Sequence, residues 1–125
     1  MTKIKFKVSV VLCTYNGCAY LKRQLNSILE QTYGIDEIIV VDDCSTDSTR
    51  EILKEYQLRH KEIKLFFNDK NLGSNRSFKY AVSLANNNYM ALCDQDDIWY
   101  SNKIENQMDS IINLGYHLDE KPLVV

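Results

Sequence analysis

Several things are missing from this 125-residue chain, and each absence removes a class of function. It has no basic excess: 15 Lys and Arg face 17 Asp and Glu, for a net charge of -2. Neither the positive surface that nucleic acid requires nor a Lys/Arg stripe suited to a membrane face is present. It has no long apolar run. Val8 to Cys13 and Ile38 to Val41 are far too short to span a bilayer. It has no leader-like start. The basic opening Met1-Thr2-Lys3-Ile4-Lys5-Phe6-Lys7 leads into an apolar run that stops at Thr14-Tyr15-Asn16 with no small-residue cleavage site, which reads as a cytoplasmic start. It has no C-x-x-C pair among Cys13, Cys18, Cys44 and Cys93, and His60 and His117 lie far from them, which argues against a zinc site. A disulfide framework is disfavoured without a secretion signal. Cys13 and Cys93 end apolar runs and read as small buried hydrophobes.

What remains is an ordinary globular composition, 45% apolar and 26% charged, in a chain the length of one domain spanning residues 1–125. Val8-Ser9-Val10-Val11-Leu12-Cys13 is a mostly β-branched run with almost no polar alternation, the pattern of a strand covered on both faces. Leu21, Leu25, Ile28 and Leu29 then recur on one helical face, with Gly34 expected to end the segment. The pair repeats. Glu37 to Val41 is a second strand; Ser48 with Glu51 fits a capping box ahead of Ile52, Leu53 and Tyr56. Ile63 to Phe67 is a third strand, followed by a helix marked by Phe78, Ala81, Val82 and Ala85. Tyr89 to Cys93 is a fourth, followed by a helix marked by Ile104, Met108, Ile111 and Ile112. This β-α alternation predicts an α/β fold with a parallel sheet between helices. Pro122-Leu123-Val124-Val125 reads as the opening of a fifth strand, and the expectation is of a piece from a longer protein.

Open parallel sheets bind ligands beyond the carboxyl ends of their strands. Three of the predicted strands end in polar residues there: Thr14-Tyr15-Asn16, Asp42-Asp43 and Asp94-Gln95-Asp96-Asp97. Five carboxylates at one edge repel each other, so they call for a cation or raised pKa values. Mg2+ or Mn2+ would need only one or two of them, with phosphate oxygens and water completing its shell. The spacing of Asp94 and Asp96 favours that reading, whereas Asp97 fits a helix-start residue equally well. Tyr15 offers a ring for a nucleobase, although a partly exposed packing role is its default. Asp43 fits either a hydrogen bond to a base or ribose or an Asx-turn. Gly73 suits a close phosphate approach but more simply a turn, Trp99 suits core packing, and Lys70 and Arg76 read by default as solvated charges.

Together these residues resemble family 2 glycosyltransferases of the GT-A fold. The matching pieces are Val8 to Gly17, Gln24 through Gln31-Thr32, Ile39 to Asp47, Asn71-Leu72-Gly73, and Cys93-Asp94-Gln95-Asp96-Asp97-Ile98-Trp99, in the family's order and covering nearly the whole chain. The last of these is similar to a bacterial rhamnosyltransferase-like subgroup. The resemblance implies a Rossmann-like parallel sheet flanked by helices on both faces, as a truncated GT-A domain. It implies that Cys13 and the ring of Tyr15 lie against the nucleotide base, that Asp43 hydrogen-bonds the base, that Asp94 lies near the ribose, and that Asp96 binds the Mn2+ or Mg2+ holding the diphosphate. The loop from Asn68 to Arg76 would lie near the nucleotide. It further implies a nucleotide-diphosphate sugar as donor and a saccharide or lipid-linked hydroxyl as acceptor. In inverting members the catalytic base lies well beyond the D-x-D, which would place it after Val125; Asp119 and Glu120 come too early. The expectation is therefore a donor-binding part with no catalytic residue of its own. Two other classes compete: a sugar-phosphate nucleotidyltransferase, which would want a Gly-rich first loop where only Gly17 stands, and a Mg-dependent phospho-acceptor signalling domain, which would want a downstream lysine at a strand end, for which Lys121 is the only late candidate and poorly set.

Overall fold

The structure, a computed structural model, describes residues 6–94, 96–114 and 123–124. Expectations placed on residues 1–5, Gln95, His117, Asp119, Glu120, Lys121, Pro122 and Val125 lie outside the described residues. The elements alternate as the sequence predicts: β1 (Val8–Thr14), α1 (Leu21–Leu29), β2 (Glu37–Asp42), α2 (Thr49–Arg59), β3 (Ile63–Phe67), α3 (Ser74–Leu84), β4 (Tyr89–Cys93), α4 (Lys103–Leu114) and β5 (Leu123–Val124). The strands line up in the order β3-β2-β1-β4-β5, every neighbouring pair parallel.

The pleat explains the near-continuous apolar runs. Val8, Val10 and Leu12 of β1 share one face with Ile38 and Val40 of β2 and with Tyr89, Ala91 and Cys93 of β4; α1, α2 and α4 cover it through Leu25, Leu53 and Ile104. Val11, Ile39 and Val41 point the other way and meet Ala81, Phe78 and Val82 of α3. Each such side chain buried in full contributes about 1.5–3 kcal/mol. Helices therefore flank both faces. The polar exceptions sit at the strand ends, Thr14 and Asp42 at the carboxyl ends, Ser9 and Glu37 at or near the amino ends. At the amino end of β2, buried Glu37 accepts hydrogen bonds from Ser9 Oγ at 2.6 Å and Lys64 Nζ at 2.9 Å. Burial pushes the Glu37 carboxyl up, but these bonds and those from Asn86 outweigh it and hold its pKa below the ordinary value.

Two helix ends differ from expectation. α1 stops at Leu29, short of Gly34, because Gln31 leaves the helical path to bond a distant segment: its Nε2 donates to the carbonyl of Tyr100 at 2.7 Å. At α2 the Ser48 hydroxyl makes no capping bond, so the capping box does not form. Asp47 takes that role, with Oδ1 accepting from the Thr49 amide at 2.9 Å.

Chain order sets the site. From β1 the chain moves outward through β2 to β3, then crosses back to place β4 on the other side of β1. The order reverses at β1, and a crevice opens at the carboxyl ends there.

Candidate functional site

Three loops meet at that crevice. After β1, Asn16 adopts a left-handed conformation (φ 49°), which asparagine tolerates. Its Oδ1 accepts from the Thr46 amide at 2.8 Å, and its own amide donates to Ser45 Oγ at 2.9 Å. The Gly17 amide donates to Thr49 Oγ1 at 3.0 Å, and the Cys18 amide to Asp47 Oδ2 at 3.2 Å. The turn after β1 is thus fastened to the loop after β2.

The two aspartates after β2 do different work. Asp42 is fully buried and satisfied by its own chain. Its Oδ1 accepts from Thr14 Oγ1 at 2.7 Å and Ser45 Oγ at 2.6 Å; its Oδ2 accepts from the Ser45 amide and from Arg50 Nε, both at 3.0 Å. Asp43 faces the crevice. Its Oδ1 accepts from the Leu72 amide at 2.7 Å and Asn68 Nδ2 at 3.0 Å, and its Oδ2 from the Gly73 amide at 2.9 Å. Burial raises the Asp43 pKa, but these hydrogen bonds, with help from Ser77, bring it below the ordinary carboxylate range. Asp43 is therefore a charged clamp on the loop before α3. Gly73, at φ 89° and ψ 158°, occupies a region essentially restricted to glycine. Its conformation turns its amide toward Asp43, so the turn reading holds.

β4 delivers the acidic cluster. The carbonyl of Asp94 accepts from the Asp97 amide at 3.2 Å and from the buried Gln24 Nε2 at 2.7 Å. The side chains of Asp94, Asp96 and Asp97 are exposed. Asp96 is left-handed at φ 58°, another conformation its short polar side chain tolerates. α4 begins only at Lys103, so Asp97 does not cap it. Trp99 packs into the core as predicted.

Cys13, Tyr15, Asp43, Gly73, Ser77 and Asp94 line one cleft of about 620 Å³. Four residues singled out from the sequence, Cys13, Tyr15, Asp43 and Asp94, thus come together; Asp96 lies one turn beyond, and Lys70 and Arg76 are exposed away from the lining. Tyr15 is 44% exposed, its ring free of the core. The Cys13 thiol is pushed up to about 12, first by burial and then by the Asp43 charge, so it presents a neutral sulfur to the cleft.

The five crowded carboxylates are expected to call for a cation or raised pKa values, but the protein's own groups already satisfy two of them. Asp42 is neutralised by Arg50 and hydroxyls, and Asp43 by backbone amides. Among the described residues no group of three or more His, Cys, Asp or Glu is arranged to hold a metal unaided. The donor set still fits a Mg2+ or Mn2+ ion that arrives with phosphate oxygens, because such an ion takes only one or two carboxylates, and those of Asp94 and Asp96 are exposed and make no hydrogen bond among the described residues. Gln24, Ser27 and Gln31 lie in a piece that matches the family, but the sequence assigns them no role; Gln24 grips the backbone at Asp94, and Ser27 and Gln31 grip the residues that follow, Trp99 to Ile104.

The model of glycosyl transferase family 2 matches residues 9–118. The chain belongs to that family. It is 37% identical over 109 residues to a putative teichuronic acid biosynthesis glycosyltransferase, TuaG, of Bacillus subtilis, covering 87% of this chain and 43% of TuaG. It is 38% identical over 106 residues to the dTDP-rhamnosyl transferase RfbG of Shigella flexneri, covering 81% of this chain and 37% of RfbG. The chain therefore spans less than half the length of these relatives. Its fold matches that of the mannosyltransferase PcManGT of Pyrobaculum calidifontis, solved with GDP-Man and Mn2+, at a TM-score of 0.79 and 25% identity, over 86% of this chain and 33% of that one. The sheet and its helices are thus those of a GT-A glycosyltransferase. Among the described residues no helix is long and apolar enough to cross a membrane.

Proposed function

We propose that residues 1–125 form the nucleotide-sugar-binding domain of a metal-dependent, inverting glycosyltransferase and the N-terminal part of a longer enzyme. That enzyme moves a sugar from a nucleotide-diphosphate donor to a hydroxyl of a saccharide or lipid-linked acceptor. The observation that carries this reading is the convergence of Cys13, Tyr15, Asp43 and Asp94 on one cleft beyond β1, β2 and β4. Cys13 and the exposed Tyr15 ring offer a neutral wall and a stacking surface for the base. Asp43 accepts a hydrogen bond from the base while holding the loop before α3. Asp94 faces the ribose. Asp96, with its exposed carboxylate, binds the divalent ion, whose charge would stabilise the departing diphosphate when it is bound. None of the described residues is assigned as the base that deprotonates the acceptor, so the isolated chain binds donor without transferring sugar.

The named relatives support a family of activities more than a single donor. RfbG is a rhamnosyl transferase, TuaG is named for teichuronic acid synthesis, and PcManGT binds GDP-Man. The rhamnosyl donor is accordingly one arm of the test. A melting series is run with UDP, GDP and dTDP, each with and without Mn2+. A nucleotide present at 100 times its Kd stabilises the fold by about 2.7 kcal/mol. We expect at least one nucleotide to do so, and more strongly with Mn2+. No shift with any nucleotide, metal present, would sink the donor-site reading. Robust sugar transfer by the 125 residues would overturn the assignment of the base to another part of the enzyme.

A further inference from the structure

The apolar face of α1 explains Leu21, Leu25 and Ile28 but leaves a second buried set unexplained. Gln24 is 1% exposed, Ser27 8% and Gln31 9%. Gln24 and Ser27 are one helical turn apart, and Gln31 follows just past the helix end. A buried amide or hydroxyl is costly unless it is hydrogen-bonded. Here all three bond the same remote segment, some 70 residues on. Gln24 Nε2 donates to the Asp94 carbonyl at 2.7 Å and reaches Cys93 Sγ at 3.4 Å. Ser27 Oγ accepts from the Trp99 amide at 3.1 Å. Gln31 Nε2 donates to the Tyr100 carbonyl, and its Oε1 accepts from the Ile104 amide at 3.1 Å. The Thr32 amide adds a bond to the Ser101 carbonyl at 2.8 Å.

Apart from the thiol contact, these grips are on backbone. None uses the carboxylates of Asp94, Asp96 or Asp97, which stay exposed. The segment is held by its backbone while Asp94 lines the cleft and the side chains of Asp96 and Asp97 stay exposed. Asp94 is the hinge of this arrangement: its carbonyl is fixed by Gln24 and also closes the turn to the Asp97 amide.

We propose that Gln24 is a positioning residue for the acidic loop, fixing the Asp94 carbonyl so that the Asp94 carboxylate is presented to the ribose and the Asp96 carboxylate to the metal in one geometry, with Ser27 and Gln31 anchoring the far side of the loop. This rests on the donor-site reading above. Gln24 acts through the loop backbone and touches neither ligand nor metal.

The test uses Gln24→Met, which keeps side-chain length and removes the donor, beside Glu37→Gln, which weakens the fold at the opposite end of the sheet. Amide hydrogen exchange of the ligand-free chain is read at Asp97 and Trp99, and nucleotide-diphosphate affinity is titrated with and without Mn2+. Gln24→Met is expected to speed exchange at Asp97 by about tenfold or more, as loss of a buried hydrogen bond does, and to weaken Mn2+-dependent binding by a similar factor while metal-free binding holds. Glu37→Gln should do neither. Exchange at Asp97 rising no more in Gln24→Met than in Glu37→Gln overturns the positioning role, as does Mn2+-dependent binding equal to that of the unaltered chain. If the unaltered chain binds no nucleotide diphosphate, the donor-site reading fails instead, and the exchange comparison still decides whether Gln24 orders the loop.

Discussion

The amide of Gly73 donates to Oδ2 of Asp43 at 2.9 Å, and this one bond ties the entry of α3 to the carboxyl end of β2. With the Leu72 amide and Asn68 Nδ2 on Oδ1, the carboxylate organises a loop that would otherwise carry two unsatisfied backbone donors beside the cleft. Asp43→Ala removes the acceptor for all three. Hydrogen bonds to a charged group contribute about 1.5–3 kcal/mol each, but exposed donors recover part of that from water. The expected loss is about 3 kcal/mol, read as a lower urea midpoint. Nucleotide affinity should fall in parallel, because the same carboxylate faces the ligand.

Gly73 itself separates backbone strain from packing. A Cβ built there meets nothing within 4 Å, so Gly73→Ala creates no clash. The residue nonetheless sits at φ 89° and ψ 158°, which a side chain resists. The cost should be about 1–3 kcal/mol, wholly from strain. Denaturant unfolding of Gly73→Ala beside Ser74→Ala, the next residue with ordinary helical geometry, checks this. Equal midpoints for the two variants would refute the strain argument.

The strands and helix faces were legible in the sequence because burial on both faces of a parallel sheet leaves a nearly continuous apolar run, as in Val8 to Leu12. The positions of Tyr15, Asp43 and Asp94 at strand ends followed from chain order, whereas Cys13 read locally as a buried hydrophobe and entered the site only through the family resemblance. What sequence could not carry was pairing between distant residues. Asp42 looks like a metal candidate until Arg50 and Ser45 close around it. Ser48 and Glu51 satisfy a capping pattern, yet Asp47 reaches Thr49 first. Gln24 and Gln31 belong to a piece that matches the family, but nothing local announces which of residues 94–104 they will bond. Apolar periodicity records which residues are buried, but not which buried polar groups find each other.

Asp47 supplies a pH test. Burial pushes its carboxyl up, but bonds from Thr49 and Cys18 more than offset this and hold its pKa at about 2, against 3.8 unperturbed. A depressed carboxyl stabilises the fold in its charged form. Its contribution is therefore complete above the unperturbed value and disappears as pH falls from about 3.8 toward 2. Asp47→Asn should be less stable than the unaltered chain near pH 6, and the gap should narrow between pH 4 and pH 2. A gap that stays constant across that window would show that the charge is not what holds the turns after β1 and β2 together.

Asp96 gives the sharpest separation of stability from ligand binding. Its side chain is exposed and makes no hydrogen bond among the described residues, so the charge can be removed without opening the core. Its backbone is the complication: at φ 58° an alanine would pay about 1–2 kcal/mol for the left-handed conformation, and a lost metal effect could be mistaken for a distorted loop. Asparagine tolerates that conformation as well as aspartate does. Asp96→Asn should therefore melt within about 0.5 kcal/mol of the unaltered chain when no ligand is present, as surface substitutions generally do. The extra stabilisation that Mn2+ adds to nucleotide binding should vanish, while the metal-free shift persists because Cys13, Tyr15 and Asp43 remain in place. Retention of the full Mn2+ increment in Asp96→Asn would move the metal to another ligand, and Asp94→Asn, scored in the same assay, would then show whether the first aspartate of the pair holds it.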